Sequence, residues 1–169
     1  FADVDNDGDD DLFVVRYLAP NKFFRNDGGK FIDQSKEMGL DLQSSSVTAC
    51  FLDYDRDGFV DLYVGLYGDA FKDVPRLPFF AQNAQPNRLY HNERGQGFRD
   101  VTQSSRTGDT GWTLAVASAD YDGDGYPDIG VANDFGRKCL FHNNGDGTFT
   151  DMAKEAGVLD FSGGMGLTF

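Results

Sequence analysis

The chain has 169 residues, 28 acidic against 15 basic, and a formal charge of −13. That length supports one domain with a sizeable core. The charge argues against a nucleic-acid partner, and no apolar run is long enough to cross a membrane, so neither nucleic-acid binding nor membrane insertion is expected.

The first stretch, Asp3-Val4-Asp5-Asn6-Asp7-Gly8-Asp9-Asp10-Asp11, is spelled twice more. The copies are Asp53-Tyr54-Asp55-Arg56-Asp57-Gly58-Phe59-Val60-Asp61 and Asp120-Tyr121-Asp122-Gly123-Asp124-Gly125-Tyr126-Pro127-Asp128. Each has aspartate at positions 1, 3, 5 and 9 and glycine at position 6. Four carboxylates so close repel one another unless a cation lies among them. Alternate positions of a tight loop can turn inward around one centre, and glycine permits the sharp turn. The expected ligands are therefore Asp3, Asp5, Asp7 and Asp11; Asp53, Asp55, Asp57 and Asp61; and Asp120, Asp122, Asp124 and Asp128. Asp9, Phe59 and Tyr126 at position 7 are expected to add backbone carbonyls. Calcium suits an irregular all-oxygen shell better than magnesium, which keeps several waters. About three calcium ions are expected, and they would bring the charge from −13 to −7.

Position 12, where an EF-hand places a bidentate glutamate, is Val14, Val64 and Val131. Each loop runs directly into a short apolar segment: Leu12-Phe13-Val14-Val15, Leu62-Tyr63-Val64-Gly65 and Ile129-Gly130-Val131-Ala132. These read as strands, as does Val47-Thr48-Ala49-Cys50-Phe51-Leu52 ahead of the second loop. The loops therefore join strand to strand, which excludes an EF-hand sensor.

Further along, Asn21-Lys22-Phe23-Phe24-Arg25-Asn26 has counterparts in Asn87-Arg88-Leu89-Tyr90-His91-Asn92 and Lys138-Cys139-Leu140-Phe141-His142-Asn143. A glycine-rich turn comes after each one, a hairpin signal. Then comes Phe31-Ile32-Asp33, Phe98-Arg99-Asp100 or Phe149-Thr150-Asp151. One repeat is thus four short strands in up-and-down order, the unit of a β-propeller blade. The expected class is all-β, with antiparallel four-stranded blades. Repeat 1 is placed at about 1–46 without its own first strand, repeat 2 at about 47–111 and repeat 3 at about 112–162. Residues 163–169 are expected to be the first strand of a fourth repeat. Three blades are fewer than the four to eight of a closed ring, so a fragment of a larger propeller is expected, with its remaining blades as partners.

The phrase Phe1-Ala2-Asp3-Val4-Asp5-Asn6-Asp7-Gly8, with Asp11-Leu12-Phe13-Val14, resembles the FG-GAP or VCBS-type repeat of integrin-alpha-like propellers. Asn87-Arg88-Leu89-Tyr90-His91-Asn92 and Gly147-Thr148-Phe149-Thr150-Asp151 resemble the remaining strands of bacterial secreted proteins related to cartilage acidic protein. The resemblance covers essentially the whole chain. It implies about seven blades in the intact ring, calcium on the loops between strands 1 and 2, and an extracellular, periplasmic or cell-surface location.

Between strands 2 and 3 the second repeat carries extra length, residues 66–86, on the face opposite the metal loops. Its Tyr67, Phe71, Arg76, Phe79 and Phe80, with Trp112 nearby, are the expected contacts for a protein or carbohydrate ligand, since aromatic residues and arginine on a long loop favour binding. His91 and His142 read as surface residues of separate blades, with no nucleophile paired to either. Cys50 and Cys139, having no metal or redox spacing, read as buried free thiols, with a disulfide between them as the alternative. The expected function is a non-catalytic, calcium-stabilised interaction module. The alternative is a fragment of a secreted carbohydrate-active enzyme whose catalytic residues lie outside the chain.

Overall fold

A computed structural model describes residues 1–76 and 80–168. Phe79, one of the expected contacts, and Phe169 lie outside the described residues, as do Leu77 and Pro78.

Among the described residues twelve strands form three antiparallel sheets, accompanied by one short helix. The first sheet holds β1 (Leu12–Val14), β3 (Lys22–Asp27) and β4 (Lys30–Asp33). The second holds β5 (Gln43–Leu52), β6 (Asp61–Leu66), β7 (Arg88–Asn92) and β8 (Phe98–Asp100) in up-and-down order. The third repeats that order with β9 (Thr113–Ala119), β10 (Asp128–Asn133), β11 (Cys139–Asn143) and β12 (Phe149–Asp151). In the first sheet a single bridge, Ala2 to Asp11, stands where a first strand would pair. These are consecutive propeller blades, and no closed barrel forms among the described residues.

The second strand of each blade explains the stacking. β6 and β10 are buried at every residue, and β6 lies between blades 1 and 3. Alternation splits the side chains of β6 between two cores. Leu62, Val64 and Leu66 pack with Val4, Phe23, Met38 and Leu40 of blade 1. Tyr63 points the other way, into a core with Val116, Ile129, Val131 and Phe141 of blade 3. Each such fully buried side chain contributes about 1.5–3 kcal/mol. Gly65 lets the blades approach: a Cβ there would lie 2.5 Å from Thr48 Cγ2 and 2.7 Å from Thr113 Cγ2.

Two boundaries differ from the sequence expectation. Blade 2 begins at Gln43 rather than 47, because β5 overshoots the end of β6. The overshoot would be an open edge, and β2 (Tyr17–Pro20), from the connection inside repeat 1, pairs with it from Tyr17–Ser45 to Pro20–Gln43. Residues 163–168 form no strand. A strand is held by a ladder, and here Gly164 donates to the Asn133 carbonyl at 2.9 Å without a ladder continuing from it. The connection after β8 also coils into a single helical turn, α1 (Thr102–Ser105). Both cysteines are free, Cys139 buried and Cys50 half-buried, and burial pushes the Cys50 thiol up to about 12.

Candidate metal centres

The three loops fold alike because the same backbone N–H groups find the same carboxylates. The position-1 aspartate accepts from position 5 with one oxygen, at 3.1 Å in Asp3, Asp53 and Asp120. Its other oxygen accepts from the position-6 glycine, at 2.9 Å from Gly8, 3.1 Å from Gly58 and 2.9 Å from Gly125. The position-5 aspartates, Asp7, Asp57 and Asp124, accept from the N–H groups of Asp9, Phe59 and Tyr126. The position-6 glycines have φ of +97°, +89° and +91°, which a side chain resists. Position 4 is left-handed too, in Asn6, Arg56 and Gly123. Asn6 and Gly123 tolerate that backbone readily, so two of the three repeats carried a sequence signal for it; Arg56 hid the third.

Position 9 is the buried floor of each loop. Asp11, Asp61 and Asp128 are fully buried. Each accepts one N–H from position 2, in Val4, Tyr54 or Tyr121, and one at 2.8 Å from the strand-three asparagine, Asn26, Asn92 or Asn143. Burial raises the pKa of all three, that of Asp61 to about 8, despite those hydrogen bonds. Asp55 at position 3 is raised as well, by burial and then by the neighbouring Asp57. In Asp5, Oδ1 is buried and accepts no hydrogen bond.

Ligand oxygens converge to within 4.8 Å of one another in Asp3, Asp5 and Asp7, in Asp53, Asp55 and Asp61, and in Asp120, Asp122 and Asp124. Asp55 and Asp57 with His91, and Asp122 and Asp128 with His142, converge as closely. A donor set dominated by carboxylate oxygens, carboxylates that burial drives toward their neutral form and an orphaned oxygen fit a hard divalent cation.

The histidines are not the surface residues the sequence implied. His91 Nδ1 lies 3.3 Å from Asp55 Oδ2 and 3.3 Å from Asp61 Oδ1. His142 Nδ1 lies 3.1 Å from Asp122 Oδ2 and 3.4 Å from Asp128 Oδ1. Arg25 takes the same place in blade 1, on Asp5 Oδ2 and 3.9 Å from Asp11 Oδ1. The strand register puts this residue opposite position 9. The aligned triplets Phe24-Arg25-Asn26, Tyr90-His91-Asn92 and Phe141-His142-Asn143 carried that signal.

Neighbouring loops touch. Asn6 donates to the Gly58 carbonyl at 2.9 Å, and Arg56 stacks over the Tyr126 ring, 5.2 Å from its centroid.

The model of the FG-GAP-like repeat matches three times, over residues 3–64, 77–131 and 120–169. The chain belongs to the FG-GAP-like repeat family. Among curated proteins none matches it. FG-GAP-like repeats build propeller-like interaction modules, are generally non-catalytic and occur in extracellular or surface proteins. No described helix is long and apolar enough to cross a membrane.

On the opposite face of these FG-GAP-like blades, the expected contact residues divide. Phe71 is 85% exposed, Phe80 is 60% exposed and rests against Phe161, and Arg76 is exposed. Trp112 is only 1% exposed. Its ring is gripped edge-on by Tyr67 and Phe135, and its indole N–H donates to Asn83 at 3.1 Å. It supports the long loop from beneath rather than offering a ring to a partner. Tyr67 is half-buried and donates its hydroxyl to Asp134 at 2.7 Å.

Proposed function

We propose that this chain is a non-catalytic, calcium-stabilised propeller module of an extracellular, periplasmic or surface protein. The observation that carries the reading is the position-9 aspartate. In all three loops it is buried without exposure, held by two backbone N–H groups and ringed by further carboxylates. Such a site is unfavourable while its charges are uncompensated, and a calcium ion compensates them. Calcium that binds the folded loops and not the unfolded chain adds its binding free energy to folding, about 2.7 kcal/mol for a site at one hundred times its Kd.

The partner is a protein or a carbohydrate, taken on the face opposite the calcium loops. Phe71, Phe80 and Arg76 supply exposed apolar and cationic groups there, on a loop braced by Trp112. The remaining blades of a larger ring are its other partners.

Calorimetric titration with calcium, combined with thermal melts in calcium and in chelator, tests the metal reading. Saturable binding with a raised melting temperature is the expected outcome. No heat and no shift would overturn it.

A further inference from the structure

The three loops share their carboxylates but not their strand-three partner. In loops 2 and 3 that partner is an imidazole, which carries no obligatory charge. In loop 1 it is a guanidinium, which is always charged. Arg25 is 13% exposed and touches Asp5 Oδ2 directly. Nη2 turns the other way, donating to the Gly95 carbonyl at 2.9 Å and lying 3.7 Å from Met38 Sδ, while Nε is buried 3.9 Å from Asp11 Oδ1. Gly95 belongs to the hairpin turn of blade 2, which closes over loop 1 so tightly that a Cβ there would lie 2.5 Å from the Asp5 Cβ. Arg25 is thus clamped from both sides, with its charge on a loop carboxylate.

From this contact, and resting on the calcium reading above, we infer that Arg25 is a tethered cation built into loop 1. Loops 2 and 3 are then the tight calcium sites, and loop 1 is a weak one held together by its own guanidinium.

Two physical effects favour this grading. Calcium affinity in oxygen-lined loops follows the charge of the ligands and the rigidity of the site. A guanidinium on the position-3 carboxylate removes one unit of that charge and must be displaced, or left beside the ion, when calcium enters. The additional aspartates of loop 1 do not restore the balance. Asp10 is exposed, where salt screens its charge, and Asp9 Oδ2 is occupied by the Gly28 N–H at 2.9 Å.

The test is calcium calorimetry on the whole chain and on Arg25→Met, which keeps an unbranched apolar stem beside Met38 and removes the charge. The expected result is two tight sites and one at least about tenfold weaker in the parent, with the third becoming tight in the variant. In chelator the variant should melt lower than the parent, and its calcium-induced shift should be larger. Arg25→His gives loop 1 the residue its neighbours use and should behave as Arg25→Met does. Two variants that leave Arg25 in place provide an independent check: Asp5→Asn should keep two tight sites, whereas Asp55→Asn should leave one. Three equivalent sites in the parent, or a weak site unchanged by either Arg25 variant, would overturn the grading and leave the calcium reading intact. No binding by parent or variants would overturn both.

Discussion

Asn92 of blade 2 crosses the blade boundary and donates its side-chain N–H to the backbone carbonyl of Val4, 2.8 Å away in loop 1 of blade 1. The same amide reaches the Val60 carbonyl of its own loop at 2.9 Å, and its oxygen accepts from Gly95 at 2.7 Å. Asn143 repeats the arrangement one blade on, with the carbonyls of Tyr54 and Pro127. One side chain therefore fixes the strand-three turn, its own acidic loop and the loop of the preceding blade.

Asn92→Ala should therefore cost about 2–4 kcal/mol, since it strands buried polar groups on both sides of the boundary. Urea denaturation gives the value. A loss below about 0.5 kcal/mol, the range of ordinary surface substitutions, would mean that the amide does not join the blades.

Positions 3 and 9 should separate metal binding from folding. Asp61→Asn replaces an oxygen that accepts from Tyr54 or Asn92 with an amide that cannot accept, so stability should fall by about 1–3 kcal/mol even in chelator. Asp55→Asn leaves that floor intact and should change the chelator melt little while weakening calcium binding at loop 2. Paired melts in chelator and calcium distinguish the two. Equal behaviour of the variants in chelator would refute the division.

The long loop depends on one close approach. A Cβ on Gly68 would lie 2.3 Å from the Trp112 ring, which is buried between Tyr67 and Phe135. Gly68→Ala should destabilise by about 1–3 kcal/mol through overpacking and alter the emission of the single tryptophan. An unaltered spectrum would show that the ring yields without cost.

Acid should loosen the first blade at one identifiable point. The side chains of Lys22 and Ser35, and then the Ser35 N–H, hold the Asp33 carboxyl at about 2, below its ordinary 3.8. A depressed carboxyl stabilises the fold above its unfolded value, and that contribution disappears as pH falls from about 4 through 2. Lys22→Met should move the titration of Asp33 upward, as followed by NMR. No movement would mean that the salt bridge is absent in solution.

The repeat, the strand order and the shared fold of the acidic loops were legible because each rests on local chemistry. Alternating aspartates around a glycine determine a loop that turns its carboxylates inward, and β-branched and aromatic runs on either side determine strands. Neither needs a distant neighbour. The pairing of β2 with β5 was not legible, since Tyr17-Leu18-Ala19-Pro20 has no strand pattern and pairs only because β5 leaves an edge to cover. Trp112 looked like a surface ring for a similar reason: its burial comes from Tyr67, Asn83 and Phe135, which the sequence scatters on both sides of it.

The same division runs through the acidic loops. The sequence by itself determined which carboxylates each loop presents, because they lie within nine consecutive residues. Only the tertiary structure decided what faces them: Arg25 for the first loop, His91 and His142 for the others, and the asparagine of the next blade across each boundary. Antiparallel register places strand three beside position 9, and blade stacking brings successive loops within hydrogen-bond reach. Both are long-range contacts, and they make three nearly identical loops chemically unequal.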